Sequence, residues 1–261
     1  MSSEVTLRSA VRAEWIKFRS VRSTIVGVAT TFVLTIGLGA VICFAVRSRW
    51  SSAGPLRQAT FDPVTTSLGG TLFAQFAVGV IGALFITSEY SSGAIRSTLA
   101  AVPARGALVV AKLVVLVSSI FLVAQIACFG AFSLGQSIFS GVVPTASLST
   151  GPVLLSVFLG GVYLTALTTL GFALGLILRH SAACISVFTS LLLILPIVTF
   201  LLPQSWQNAF AKFEPSTLGQ SMMTPTAPAN SLSAGPATLL LFVYVAFALG
   251  LGVTMLKRRD A

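Results

Sequence analysis

The sequence has few charged residues: Asp, Glu, Lys and Arg make up 8% of its 261 residues, whereas hydrophobic residues make up 55%. Soluble domains carry roughly 25% charged residues. A chain with so few charges cannot coat a water-soluble globule, and its hydrophobicity also excludes a disordered chain. The composition predicts an integral membrane protein, whose structural unit is a span of about 20 apolar residues.

The sequence also lacks the residue patterns of common catalytic and metal sites. Cys43, Cys128 and Cys184 lie singly in apolar stretches, and His180 is the only histidine. This excludes a disulfide framework and the usual zinc spacings. No Gly-Lys pair occurs, so the phosphate-binding loop G-x-x-x-x-G-K-[ST] is missing, and so is the hydrolase motif G-x-S-x-G. We therefore expect that the chain is not an enzyme and binds no cofactor or metal.

Charged residues, together with the stretch Ser133–Pro152 that is rich in Ser, Gly, Thr and Pro, divide the rest of the chain into six long apolar segments. The predicted spans are residues 24–46, 67–87, 107–132, 152–178, 182–202 and 237–256. Each has the length that a helix needs to cross the hydrocarbon layer, and the apolar runs do not alternate as barrel strands do. We predict an all-α, polytopic membrane protein with six transmembrane helices in one domain, residues 1–261.

The net charge of +10 indicates how these spans are oriented. Six spans place both termini on one side, and 12 of the 16 Lys and Arg residues fall on that side. Basic residues accumulate on the cytosolic side of membrane proteins, so both termini are expected in the cytosol. Basic and aromatic residues do not interleave on a polar face, so we expect no nucleic-acid partner.

Residues 1–22 are expected to form an amphipathic helix that lies in the headgroup layer. Leu7, Val11, Trp15 and Phe18 fall in one helical stripe, with arginines beside it. Trp15 and Phe18 are the expected membrane-interface anchors, because such a helix buries its apolar side in the lipid boundary. The alternative is a positively charged lead-in to the first span.

A short helix over residues 91–102 is predicted between the second and third spans, on the cytosolic side. Ile95, Leu99 and Val102 share one face, and Pro103 ends the helix. That face either packs beneath the bundle or on lipid, or docks a cytosolic partner. Glu89, just before it, has either a local role at the helix start or an ion pair that changes with conformation.

A second interfacial helix is expected after the fifth span. Trp206, Phe210 and Phe213 recur at i, i+4 and i+7, a spacing that predicts aromatic anchoring, with Trp206 and Phe210 as the main anchors. The alternative is that this helix lines an exit path. Within the spans, Gly171-x-x-x-Gly175 is typical of closely packed helices.

No charged residue is expected well inside a span, which disfavours carriers coupled to ions or protons. The chain then combines a bundle, no energy source of its own and a docking helix. A permease driven by a separate ATPase fits these three properties. A stand-alone channel or carrier, and a membrane scaffold or sensor that transports nothing, remain as alternatives.

Three motifs carry a family resemblance. They are Ser88-Glu89-Tyr90-x-x-Gly93-x-Ile95-Arg96-x-Thr98-Leu99 followed by Pro103 and Arg105, then Ala13-Glu14-Trp15-x-Lys17-Phe18-Arg19-Ser20, and Glu214-Pro215-Ser216-x-x-Gly219-Gln220. Across essentially its whole length the chain resembles the permease subunits of ATP-binding-cassette (ABC) exporters of the type-2 class. Glu214 departs from that pattern, which has a leucine there.

The resemblance implies one half of a transmembrane homo- or heterodimer in the bacterial plasma membrane, which exports an amphiphilic or antibiotic-like substrate. ATP and Mg²⁺ would bind to a separate ATP-binding subunit. The residues implied in coupling to that subunit are Glu89, Ile95, Arg96, Leu99, Val102, Pro103 and Arg105. The second and fifth spans would line the translocation path, with Gln75, Phe76 and Phe188 as candidate contacts.

Overall fold

A computed structural model describes residues 7–93, 105–226 and 231–258 of the protein. Within these ranges the secondary structure is helical and contains no strand. The helices are α1 Leu7–Ser20, α2 Arg22–Ser48, α3 Pro55–Ala59, α4 Pro63–Ser67, α5 Thr71–Ser91, α6 Arg105–Phe139, α7 Gly151–Leu178, α8 Ser181–Phe200, α9 Gln204–Phe210, α10 Pro215–Met223 and α11 Ala234–Arg258.

Six of these helices are long and apolar enough to cross a membrane: α2, α5, α6, α7, α8 and α11. The prediction of an all-α fold with six spans is therefore confirmed. Successive spans alternate in direction, which gives the bundle two ends. We call the end that carries α1 the α1 end, and the end that carries α3, α4, α9 and α10 the far end.

Two spans contain a π-helical stretch. In α8 it covers Ser190–Ile194 and ends two residues before Pro196, and in α2 it covers Val33–Leu38. Proline cannot donate the backbone hydrogen bond of a regular helix and clashes with the preceding turn. The wider π turn before Pro196 accommodates this defect without ending the span.

Helix α6 runs to Phe139, beyond the predicted end of the third span at residue 132. Its last turns are held by Gln136, whose side-chain amide donates to the carbonyl of Pro63 (3.2 Å) and the hydroxyl of Ser67 (3.0 Å). The same side chain accepts from the backbone of Ala146 at 2.7 Å. The polar residues that predicted a loop here instead attach α6 to α4.

The centre of the bundle is the crossing of α5 and α7, and α7 is the most buried span. Glycines on both helices let the backbones approach closely. A Cβ at Gly82 would overlap the carbonyl oxygen of Thr168, and one at Gly171 would overlap that of Gly79. Gly175 lies against the side chain of Ile86, where a Cβ would overlap a methyl group. The close packing predicted for Gly171 and Gly175 is confirmed.

This crossing predicts that Gly82→Ala destabilises the protein. The added methyl group has no space between the backbones, and overpacking of this kind costs about 1–3 kcal/mol of the free energy of unfolding. The control is Gly250→Ala on α11, where the new Cβ meets no atom of another described helix within 4 Å. Thermal unfolding of the purified protein should show a lower midpoint for Gly82→Ala only, and equal midpoints would contradict this account of the crossing.

Candidate functional site

Four charged side chains from three helices meet at the α1 end of the bundle. Glu14 and Lys17 come from α1, Glu89 from α5 and Lys112 from α6. The ammonium of Lys112 lies 2.8 Å from Oε2 of Glu14 and 2.6 Å from Oε1 of Glu89. Lys17 pairs with the same oxygen of Glu89. We call these four residues the charge cluster.

The charge cluster is largely enclosed by protein. Lys112 is 0% exposed, Glu89 2% and Glu14 5%, whereas the side chain of Lys17 is 39% exposed. Burying a charge is costly unless it is paired, so the two carboxylates and Lys112 depend on one another. The ring of Phe85 adds a cation–π contact, with its centroid 5.3 Å from the Lys112 ammonium.

The buried face of α1 brings Glu14 and Lys17 to the cluster. Ala10, Glu14 and Phe18 recur at the spacing of one helical face, and all three are buried. The Phe18 ring packs edge-on against Phe85 at a centroid distance of 5.8 Å. The prediction of Phe18 as a membrane-interface anchor is therefore wrong: it packs in the core, because the face that holds Glu14 turns inwards. Trp15 is exposed, and its role as an anchor stays a prediction.

Lys112 lies in the first turns of the candidate span Leu108–Phe139, near the α1 end of the bundle. Its pairing with two carboxylates was not predicted from the sequence. The overlooked signal was one lysine in a long apolar run, with Glu89 before the same connection and Glu14 in the preceding amphipathic helix. Glu89 forms ion pairs with Lys17 and Lys112, and the change of such a pair with conformation stays a prediction.

The predicted coupling residues fall mostly outside the described part of the chain. These are Ile95, Arg96, Leu99, Val102 and Pro103, whereas Arg105 begins α6 and its side chain is not described. Glu89 and Lys112 therefore lie on the two helices that this connection joins.

The predicted path residues do not share one environment. Gln75 is buried and accepts a hydrogen bond from the hydroxyl of Tyr163 at 2.5 Å. Phe188 is buried against Gly79, whereas Phe76 is half-buried. Gln75 and Phe188 thus pack between α5, α7 and α8 in this conformation. Their assignment to a translocation path stays a prediction.

The aromatic residues of α9 and the segment after it lie at the surface of the far end. Trp206, Phe210 and Phe213 are exposed, and the rings of Trp206 and Phe210 lie 5.8 Å apart. Aromatic rings at the edge of a bundle of spans suit the interface between membrane and water. Their role as anchors stays a prediction.

The sequence of this chain matches a known protein family. A sequence model of the family described as ABC-2 family transporter protein matches residues 10–196. The chain belongs to this family. The matched range contains the whole charge cluster, while no curated protein matches the chain.

Membership of the ABC-2 transporter family makes the chain a multi-pass permease subunit of an ABC transporter. Permeases of this family are not themselves catalytic, and the family implies an ATP-binding partner and the surrounding lipid. No group of three or more potential metal ligands occurs among the described residues. What the charge cluster offers is a mechanical connection between α1, α5 and α6.

Removing Lys112 should destabilise this ABC-2 permease far more than removing Lys17. Lys112→Met leaves the buried carboxylates of Glu14 and Glu89 with only the half-exposed Lys17, and breaking a buried pair in this way costs about 3–5 kcal/mol. Lys17→Met leaves Lys112 on both carboxylates and should cost roughly 0–1 kcal/mol, as exposed ion pairs do.

The measurement is the free energy of unfolding of the two variants in lipid nanodiscs. Both substitutions remove one ammonium and introduce the same side chain, so Lys17→Met serves as the matched control. If the two variants lost equal stability, the difference in burial between the two lysines would not govern the cluster.

Proposed function

We propose that the chain is the permease subunit of an ABC exporter that moves an amphiphilic or antibiotic-like solute across a bacterial plasma membrane. A separate ATP-binding subunit supplies the energy. The family match supports the permease, and the charge cluster is the observation that carries the proposal. It joins a helix outside the spans to the two spans on either side of the predicted coupling segment.

The coupling segment is the connection between α5, which ends at Ser91, and α6, which begins at Arg105. Glu89 lies two residues before the end of α5, and Lys112 lies two turns after the start of α6. Their ion pair therefore links α5 to α6 close to the two ends of the connection. A push from the ATP-binding subunit on this connection moves α5 and α6 together, and Glu14 extends the movement to α1.

The two lysines that contact Glu89 differ in burial, so the cluster can lose one ion pair and keep the other. Both lysines pair with Oε1 of Glu89, while its Oε2 is buried and has no hydrogen-bond partner among the described residues. Lys17 is half-exposed, so it can leave at little desolvation cost. We infer that the contact between Lys17 and Glu89 breaks first when the ATP-binding subunit moves, and that Lys112 remains paired.

The proposed orientation puts the α1 end in the cytosol, where the ATP-binding subunit is found. The excess of basic residues on the side of the termini supports this. The exporter would contain a second permease subunit, identical or not. A stand-alone carrier would need a charge exposed to its path, whereas Lys112 is fully enclosed and already paired with two carboxylates.

Leu99→Asp should release the ATP-binding subunit from the permease. Leu99 belongs to the predicted apolar face of the coupling segment, and truncating a docked apolar anchor costs roughly 2 kcal/mol or more. An unpaired aspartate against the partner should cost still more. The measurement is capture of the ATP-binding subunit by tagged permease from membranes that contain both proteins.

The control is Ser97→Asp, which adds the same charge two residues away, on the opposite face of the predicted helix. It should keep the partner bound. If Leu99→Asp captured as much ATP-binding subunit as the unmodified permease, the segment would be a turn between spans and the coupling proposal would fail.

A further inference from the structure

A second buried carboxylate lies at the far end of the bundle, away from the charge cluster. Glu214 is 5% exposed and lies between the short turn Ala211–Phe213 and helix α10. Its Oε2 is 3.5 Å from the hydroxyl of Thr217, a distance at the limit of a hydrogen bond. Its Oε1 is buried with no hydrogen-bond partner in the described ranges.

Helix capping does not account for this carboxylate. Glu214 is the N-cap residue of α10, but its side chain accepts no capping hydrogen bond. Asp62, the N-cap residue of α4, provides the contrast: it accepts from the backbone of Val64 at 2.8 Å and from the hydroxyl of Thr65 at 2.5 Å. The positive end of α10 favours a negative charge at Glu214, yet leaves its oxygens open to another donor.

The basic residue next to Glu214 in the chain does not neutralise it. The ammonium of Lys212 lies over the ring of Phe213, 5.2 Å from its centroid. Among the described acidic residues, Glu14 and Glu89 pair with lysines and Asp62 caps a helix. Glu214 is the buried carboxylate of this group that forms no ion pair with a basic residue of the described ranges.

A cavity that is lined in part by Thr217 lies close to this carboxylate. It has a volume of about 1110 Å³ and lies between α4 and the α9–α10 region. Hydroxyl and amide side chains such as those of Thr65, Gln207 and Gln220 line it together with the charged residues Asp62 and Lys212 and with apolar surface. Pockets for drug-sized ligands measure roughly 300–1,000 Å³, so the cavity can admit such a molecule. Thr217 both lines the cavity and contacts Glu214, and so separates the two.

We propose that Glu214 binds a protonated amine of the exported solute, which reaches it from this cavity when the side chain of Thr217 turns aside. The amine N–H groups then donate to the carboxylate and replace the long contact with Thr217. This inference rests on the proposed export function and narrows the substrate class to basic amphiphiles. It also places charge recognition outside the spans, at the far end.

The test is equilibrium binding of a matched pair of fluorescent probes to the full-length permease in phosphatidylcholine nanodiscs. Dansylcadaverine carries a protonated amine, and N-acetyl-dansylcadaverine is its neutral analogue. A charge-assisted hydrogen bond predicts that the unmodified permease prefers the cation by about tenfold or more. Glu214→Gln should abolish this preference while the affinity for the neutral probe stays the same.

Two further variants make the result independent of folding defects. Glu214→Asp retains the charge and should keep much of the preference for the cation. Thr217→Val removes only the long hydroxyl contact and should keep the preference as well. An unchanged preference in Glu214→Gln, or none in the unmodified permease, would overturn the proposal.

Other sources of a cation give different outcomes. If phosphatidylethanolamine added to the nanodiscs blocks the cationic probe, the amine belongs to a lipid headgroup and the solute assignment is overturned. If Glu214→Gln weakens self-association and leaves the preference unchanged, a basic residue of a second permease pairs with Glu214, which also overturns it. Capture of the ATP-binding subunit by the unmodified permease is measured separately, so these failures leave the export proposal standing.

Discussion

Lys112 is fully enclosed by protein, and two carboxylates from different helices share its charge. A buried ammonium holds its position only while its partners stay in place, because an unpaired charge in the interior is strongly unfavourable. This constraint fixes α1 against α5 and α6, and with it the geometry at the base of the connection between those two spans. The other features of this end of the bundle follow from it.

The charge cluster links α1, α5 and α6 at one end of the bundle, and the glycine crossing packs α5 against α7 at its centre. At Gly82 and Gly171 the backbones of α5 and α7 are in direct contact, which leaves little room for sliding within this central pair. Movement of α5 at the α1 end must therefore be transmitted along the helix rather than absorbed at the crossing. In the proposed mechanism, a movement that enters at Glu89 passes along α5 to the predicted path residues, including Phe188 of α8, which packs against Gly79.

Much of the fold was readable from the sequence, because charged and turn-forming residues punctuate the apolar runs. Six spans and the close approach at Gly171 follow from composition and spacing alone. The site was less accessible, since its members are separated in sequence and each has an ordinary local explanation. Lys112 resembles a span boundary, and Phe18 resembles a lipid anchor until the pairing of Glu14 shows that this face of α1 turns inwards.

The central claim is that the charge cluster transmits the movement of the ATP-binding subunit to the spans. It is tested most directly by the amount of solute exported per ATP hydrolysed in proteoliposomes, compared between the unmodified exporter and Glu14→Gln. This variant removes one charge of the link and leaves the pair of Glu89 with Lys112. The account predicts that ATP hydrolysis persists while export per ATP falls severalfold, and an unchanged ratio would contradict it.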